Sequence, residues 1–198
     1  TEFKIFGIPG TITTNTIALT VPYGTDVTSL IPTLTYTGMS VSPGNGVPEN
    51  FSSPVIYTVT AADTSTKQYT VTVNVALNPA RDITEFKIFG IPGVITSNTI
   101  ALTVPFGTDP TNLTPTITHT GVSVNPGSGV AQDFSSPVIY TVTAADSSAK
   151  QYTVTVNVSL DPAKDITQFT ILGINGIITT NTISLTLPYG TDPSNLTP

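Results

Sequence analysis

The feature that most constrains this chain is a long internal repeat. TEFKIFGIPG opens the sequence at Thr1 and returns unchanged at Thr84. A looser copy, TQFTILGING, begins at Thr167, which sets the period at 83 residues. Of the 83 positions in the first two copies, 64 are identical. Solenoid repeats usually run to about 20–50 residues, so this unit is too long to be one. It lies near the roughly 100 residues of an immunoglobulin-type sandwich. Each copy should therefore be a domain with its own core: residues 1–83, residues 84–166, and a third, incomplete copy over 167–198. That third copy stops at Pro198, aligned with Pro32 and Pro115. On its own it would leave Phe169, Ile171, Ile178, Ile183, Leu185 and Leu187 without a partner sheet, and such a fragment is marginal. The sequence thus reads as a window on a longer array. Completion by a strand from another chain is the alternative.

Within one unit the apolar residues alternate. Tyr69, Val71, Val73, Val75 and Leu77 share one face, while Thr70, Thr72 and Asn74 share the other. A period of two describes a half-buried antiparallel strand. Val55, Tyr57, Val59 and Ala61 repeat the pattern, and the polar turn Asp63 to Lys67 joins the two strands as a hairpin. Ile17, Leu19 and Val21 define another strand, Leu34 and Tyr36 a further one, and Phe3 to Ile8 the first. Asp26 is placed to cap a single helical turn. About seven short strands with regular turns predict an all-β, two-sheet sandwich in each unit. Phe6 and Phe89 fall out of phase with Phe3 and Phe86; they are read as core, with exposed apolar contacts as the alternative. The connections Leu77–Ile83 and Leu160–Ile166 are short, and each holds one proline, Pro79 or Pro162. Proline fixes φ, so these predict semi-rigid joints rather than flexible tethers.

Composition removes several classes of function. Six basic residues against twelve acidic ones argue against nucleic-acid binding, which needs a basic face. The absence of cysteine removes disulfides, zinc-thiolate sites and thiol nucleophiles. A mean hydropathy of +0.22 argues against disorder. No apolar run reaches the roughly 18 residues of a membrane span.

The segments from Pro54 to Asp63 and from Lys67 to Val73 resemble the closing hairpin of bacterial immunoglobulin-like repeats. Val21 to Asp26 and Gly38 to Pro43 are similar to that repeat type as well. The resemblance covers every complete unit. It implies tandem immunoglobulin-like sandwiches in a large secreted or cell-surface protein, acting as a stalk, spacer, adhesive module or extracellular fibre, with no catalytic motif to carry over. The expectation is a non-enzymatic, structural segment of an extracellular stalk or filament whose partners are neighbouring repeats. An adhesin or carbohydrate-binding module is one alternative, and a spacer attached to a secreted enzyme is another.

Few residues suggest chemistry. The single histidine, His119, corresponds to Tyr36 in the other copy, so a shared general base is absent and a structural role is expected. No G-x-S-x-G, P-loop or H-E-x-x-H pattern occurs. No cofactor is expected. Calcium is the one metal weighed, with Asp82 and Glu85 flanking the first joint and Asp63 or Asp109 as further oxygen donors. Glu85 becomes Gln168 at the second joint, and calcium wants six to eight oxygens, so the expectation is solvated charge. Threonine makes up about a fifth of the chain. It is a good strand former suited to a wet face, with a hydroxyl array for glycan or ice as a competing reading. Thr33, Thr35 and Thr37, and Thr114 through Thr120, show the alternation. N-glycosylation sequons stand at Asn50, Asn112, Asn157 and Asn195.

Overall fold

The computed structural model describes residues 1–197, and they build an all-β protein. The first eight strands are β1 (Glu2–Ile5), β2 (Ile8–Pro9), β3 (Thr11–Ile12), β4 (Thr16–Val21), β5 (Pro32–Thr35), β6 (Ser40–Ser42), β7 (Val55–Thr60) and β8 (Thr66–Val75). They form two sheets, one ordered β2-β1-β5 and the other β3-β4-β8-β7-β6. β7 and β8 are the expected hairpin, with Tyr57 opposite Tyr69. β4 and β8 run parallel, Ile17 opposite Val71 and Val21 opposite Val75. A parallel pair needs a long crossover, and here β5, β6 and β7 lie between the two partners in sequence.

The alternation predicted from sequence decides what is buried. Phe3 and Ile5 point inward from one sheet, and Ile17, Leu19, Val21, Tyr57, Val71 and Val73 point inward from the other. Leu30 and Phe51 close the core from the loops. The Phe3 ring meets Tyr57 edge-on at a centroid distance of 5.5 Å. Edge-to-face pairs of this kind add about 0.5–1.5 kcal/mol beyond the area they bury.

The second copy repeats the plan with β9 (Ile83–Ile88), β10 (Ile91–Pro92), β11 (Val94–Thr96), β12 (Thr99–Val104), β13 (Pro115–His119), β14 (Ser123–Asn125), β15 (Val138–Thr143) and β16 (Ala149–Val158). Its sheets are β10-β9-β13 and β11-β12-β16-β15-β14. Phe86 packs edge-on against Tyr140 at 5.3 Å.

The structure differs from the sequence expectation in four places. There are eight strands per sandwich rather than seven, because the stretch from Phe3 to Ile8 is not one strand. It reverses at Phe6 and Gly7, both at positive φ (52° and 76°), the dihedral pattern of a tight hairpin. That reversal also overturns the core placement of Phe6 and Phe89, which sit at the hairpin tips and are 66% and 68% exposed. Val75 and Leu77 are likewise exposed, since they lie at and beyond the end of β8. Finally, Asp26 accepts from the Thr28 amide at 2.9 Å without starting a helix. The equivalent Asp109 and Asp192 do cap short 3₁₀ turns, Pro110–Asn112 and Pro193–Asn195. Proline follows the cap in both of these, where Val27 follows Asp26, and its fixed φ favours the first helical position.

The chain divides into two compact units. One, Thr1–Val104 with Asp109–Asn157, holds both sandwiches; the other is Pro105–Thr108 with the chain from Val158 onward. The latter contains two short hairpins, β17 (Thr170–Ile171) with β18 (Ile174–Asn175) and β19 (Ile177–Ile178) with β20 (Ile183–Ser184). Phe169, Ile171, Ile183, Leu185 and Leu187 are only half-buried there, and Ile178 is exposed. Their counterparts Phe3, Ile5, Ile17, Leu19 and Val21 are fully buried in the first sandwich.

Candidate functional site

The most elaborate polar site among the described residues is the first joint. Its local shape starts with Asn78, whose side-chain Oδ1 accepts from the Ala80 amide at 2.9 Å and closes a turn around Pro79. Asp161 does the same for Ala163 at 2.8 Å around Pro162. An Asx side chain that bonds two residues ahead mimics a backbone turn. The two linkers therefore share this Asx turn.

Beyond that turn the first linker lies against the second sandwich. The Ala145 amide donates to the Asn78 carbonyl at 3.1 Å. Arg81 Nη1 donates to Ser148 Oγ at 3.0 Å. The Asp82 amide donates to Thr120 Oγ1 at 2.8 Å, and its carbonyl accepts from the Thr120 amide at 2.9 Å. The Asp82 carboxylate takes Lys150 Nζ at 2.8 Å and the Tyr152 hydroxyl at 3.1 Å. That same hydroxyl accepts from the Ile83 amide at 3.2 Å. Lys150 Nζ stands 4.8 Å from the centre of the Tyr152 ring.

Hydrogen bonds from Lys150 and then from Tyr152 hold the Asp82 carboxyl below the usual carboxylate range. Lys150 is raised, first by its bond to Asp82. Both shifts favour the ionised pair. The pair is partly exposed, so its Coulomb term is about 0–1 kcal/mol. Packing contributes more. Ile83 is 3% exposed and Tyr152 1% exposed, and Val142 and Ala144 are also buried. Their counterparts Tyr69, Val59 and Ala61 in the first sandwich are only half-buried. The linker accordingly belongs, physically, to the sandwich that follows it.

The calcium candidates take other partners. Asp82 is engaged as described, and Glu85 pairs with Lys87 at 2.5 Å, as Glu2 pairs with Lys4 at 2.7 Å. Asp63 accepts from Ser65, and Asp109 from Thr111. Among the described residues no three His, Cys, Asp or Glu side chains gather to hold a metal. His119 lies across from Ile83 at an irregularity in the β13–β9 register, with its Nδ1 buried and without a partner. Asn50, Asn112 and Asn157 are exposed, in a loop, a 3₁₀ turn and a strand respectively. Asn195 lies in the last 3₁₀ turn, and its side chain is outside the described residues. Thr33, Thr35, Thr116 and Thr118 are exposed on the outer faces of β5 and β13.

Sequence reasoning missed the receptor half of the joint: Thr120, Ser148, Lys150 and Tyr152. The alternation did place Tyr152 on the inward face. Its partner is 70 residues away in sequence, where periodicity carries no information. A second feature it left unassigned is a recurring exposed aromatic, Tyr23, Phe106 and Tyr189, each ahead of a glycine at positive φ.

The fold and joint define a tandem β-sandwich module. The family described as SGBP, N-terminal, matches residues 1–73 and again 83–156, and the chain belongs to that family of N-terminal domains of surface glycan-binding proteins. Among solved structures, the chain is similar to a provisionally assigned glycoside hydrolase from Bacteroides thetaiotaomicron. The identity is 34% over 56% of this chain and 35% of that one, with a TM-score of 0.39. It is also similar to a provisionally assigned secreted protein from Bacteroides fragilis, at 16% identity over 42% of this chain and 97% of that one, with a TM-score of 0.30. The chain thus spans about a third of the length of the first of these. No curated protein matches it.

Proposed function

We propose that this chain is a non-catalytic spacer of a bacterial surface glycan-binding protein, one that holds a ligand-binding part at a fixed distance from the cell. The two sandwiches, β1 to β8 and β9 to β16 with the docked linker, act as successive rigid elements in this reading, outside the cell. The observation that carries it is the docked linker: Arg81, Asp82 and Ile83 are bonded into the sandwich they precede. A spacer of this kind sets distance through geometry and requires no reactive group. The absence of cysteine leaves sites for selective labelling. Spin labels at Thr28→Cys and Thr111→Cys should give one narrow distance distribution by electron–electron resonance. A broad distribution, unchanged by Asp82→Ala, would refute the rigid spacer.

The recurring exposed aromatics favour a second reading, in which the sandwiches themselves touch glycan. Tyr23, Phe106 and Tyr189 keep an aromatic ring in every copy while the hydroxyl is dispensable, which is the pattern of ring stacking. A glycan array probed with the whole chain separates the readings. Specific binding lost in the Tyr23→Ala, Phe106→Ala double variant would make this segment a binding module.

A further inference from the structure

The order of strands decides how a sandwich carries a pull applied along the chain. In the first sandwich Thr1, just ahead of β1, and Tyr69, early in β8, line the same small opening. From Tyr69 to Val75, where β8 ends, is about 20 Å at the rise of a strand. The leading end of β1 and the trailing end of β8 therefore lie at opposite ends of the sandwich. A pull between them draws β1 one way and β8 the other. β1 is four residues long and β8 is ten. β8 lies between β4 and β7, and β4 runs parallel to it. That ladder covers the full length of β4, from Thr16 opposite Thr70 to Val21 opposite Val75. The Ala76 amide extends it by donating to the Val21 carbonyl at 2.8 Å.

We propose that the first sandwich is a tension-bearing element, and that its clamp is the parallel pair β4 and β8. The short β1 leaves first under load, and β2 leaves with it. β3 is antiparallel to β4, with Thr11 opposite Ala18 and Ile12 opposite Ile17. A pull on the leading end of β3 therefore peels it from β4 one pair at a time. The load then reaches Thr16, the leading end of β4. From there β4 is drawn along its own axis in one direction and β8 along its axis in the other. The bonds of a parallel ladder are evenly spaced, so in this shear they share the load and none opens ahead of the rest. In a peel, by contrast, each bond carries the whole load in turn. Thr1 and Thr16 both start near the Tyr69 end of β8, so freeing residues 1–15 lengthens the molecule by about 50 Å before the clamp is loaded. In the second sandwich the linker carries the same pull, and its Asp82 is bound to Lys150 and Tyr152, both on β16. Part of the load there bypasses β9 and passes straight to the last strand. A spacer needs only length. Bearing tension is a further property, and it is decided whether or not the chain acts as a spacer.

The test is single-molecule pulling of the whole chain in two directions. The chain has no cysteine, so each introduced thiol gives one attachment point. Handles at Thr1→Cys and Leu77→Cys load the sandwich end to end. Handles at Tyr23→Cys and Leu77→Cys pull on the trailing ends of β4 and β8, which lie side by side, and peel the same pair apart. All three positions are exposed, so the variants keep the fold. End-to-end pulling should give two steps, the first adding about 50 Å. The second should need about threefold or more the force at which the same pair peels, because the ladder shares the load in one direction and not in the other. Equal rupture forces in the two directions would overturn the proposal. So would a single end-to-end event that frees the whole sandwich at once, since β1 and β5 would then be the clamp.

Discussion

Replacing Tyr152 by phenylalanine removes one hydroxyl from the first joint and leaves every apolar contact in place. The hydroxyl accepts from the Ile83 amide at 3.2 Å and donates to Asp82 at 3.1 Å. Asp82 is exposed enough to be solvated by water instead, so little of that half is lost. The Ile83 amide is buried, and a buried donor without a partner costs about 1–3 kcal/mol. The expected loss is about 2 kcal/mol, confined to the second sandwich. Tyr69→Phe in the first sandwich is the internal control: its hydroxyl binds no linker, and the expected change is within about 0.5 kcal/mol. Native-state hydrogen exchange reads both sandwiches in one sample, residue by residue. The β15 and β16 amides should exchange about thirtyfold faster in Tyr152→Phe, the factor that about 2 kcal/mol implies, while β7 and β8 amides stay unchanged. Equal effects of the two substitutions, or none from Tyr152→Phe, would refute the claim that the linker is part of the following fold.

Other outcomes follow from the same structure. Tyr140 is buried, its hydroxyl has no partner, and its pKa is pushed up to about 12 by burial. Tyr140→Phe should thus keep or raise stability, by up to about 1 kcal/mol in urea unfolding, rather than lower it. Phe6→Asn should stabilise the first sandwich by about 1 kcal/mol, because an exposed phenylalanine at positive φ gives way to the residue that hairpin position favours; thermal unfolding checks this. Phe86→Ala should cost about 3–5 kcal/mol and unfold the second sandwich selectively, visible in its NMR signals. Acid should loosen the joint. The Asp82 pKa is depressed by folding, so its contribution is present above the ordinary carboxylate pKa and is lost as pH falls through the depressed value. Exchange of the Ile83 amide, corrected for its intrinsic rate, should accelerate in that acidic window and be flat near neutrality.

The faces of the strands were legible in the sequence because a period of two fixes which side chains meet the core. Tyr57, Val71 and Val73 are inward as that period requires. The neighbours of each strand were not legible. Nothing in the alternation of Ile17, Leu19 and Val21 says that β4 lies parallel to β8. The break at Phe6 was hidden for a related reason. Phenylalanine is a strand former, and only the following Gly7 hinted at a reversal. Pro79 and Pro162 marked the linkers. What locks the first one, however, is a set of side chains from Thr120 to Tyr152, brought together by tertiary folding. Asp82 stood out as a carboxylate in a sparsely charged chain, but its partner cation lies 68 residues away.

The central claim, that a linker is built into the sandwich it precedes, is tested most directly by backbone ¹⁵N relaxation across Asn78 to Ile83. If the linker is docked, its order parameters should match those of the flanking strands, at about 0.85. Values below about 0.6 at Arg81, Asp82 and Ile83, with rigid sandwiches on either side, would contradict it and make the joint a flexible tether.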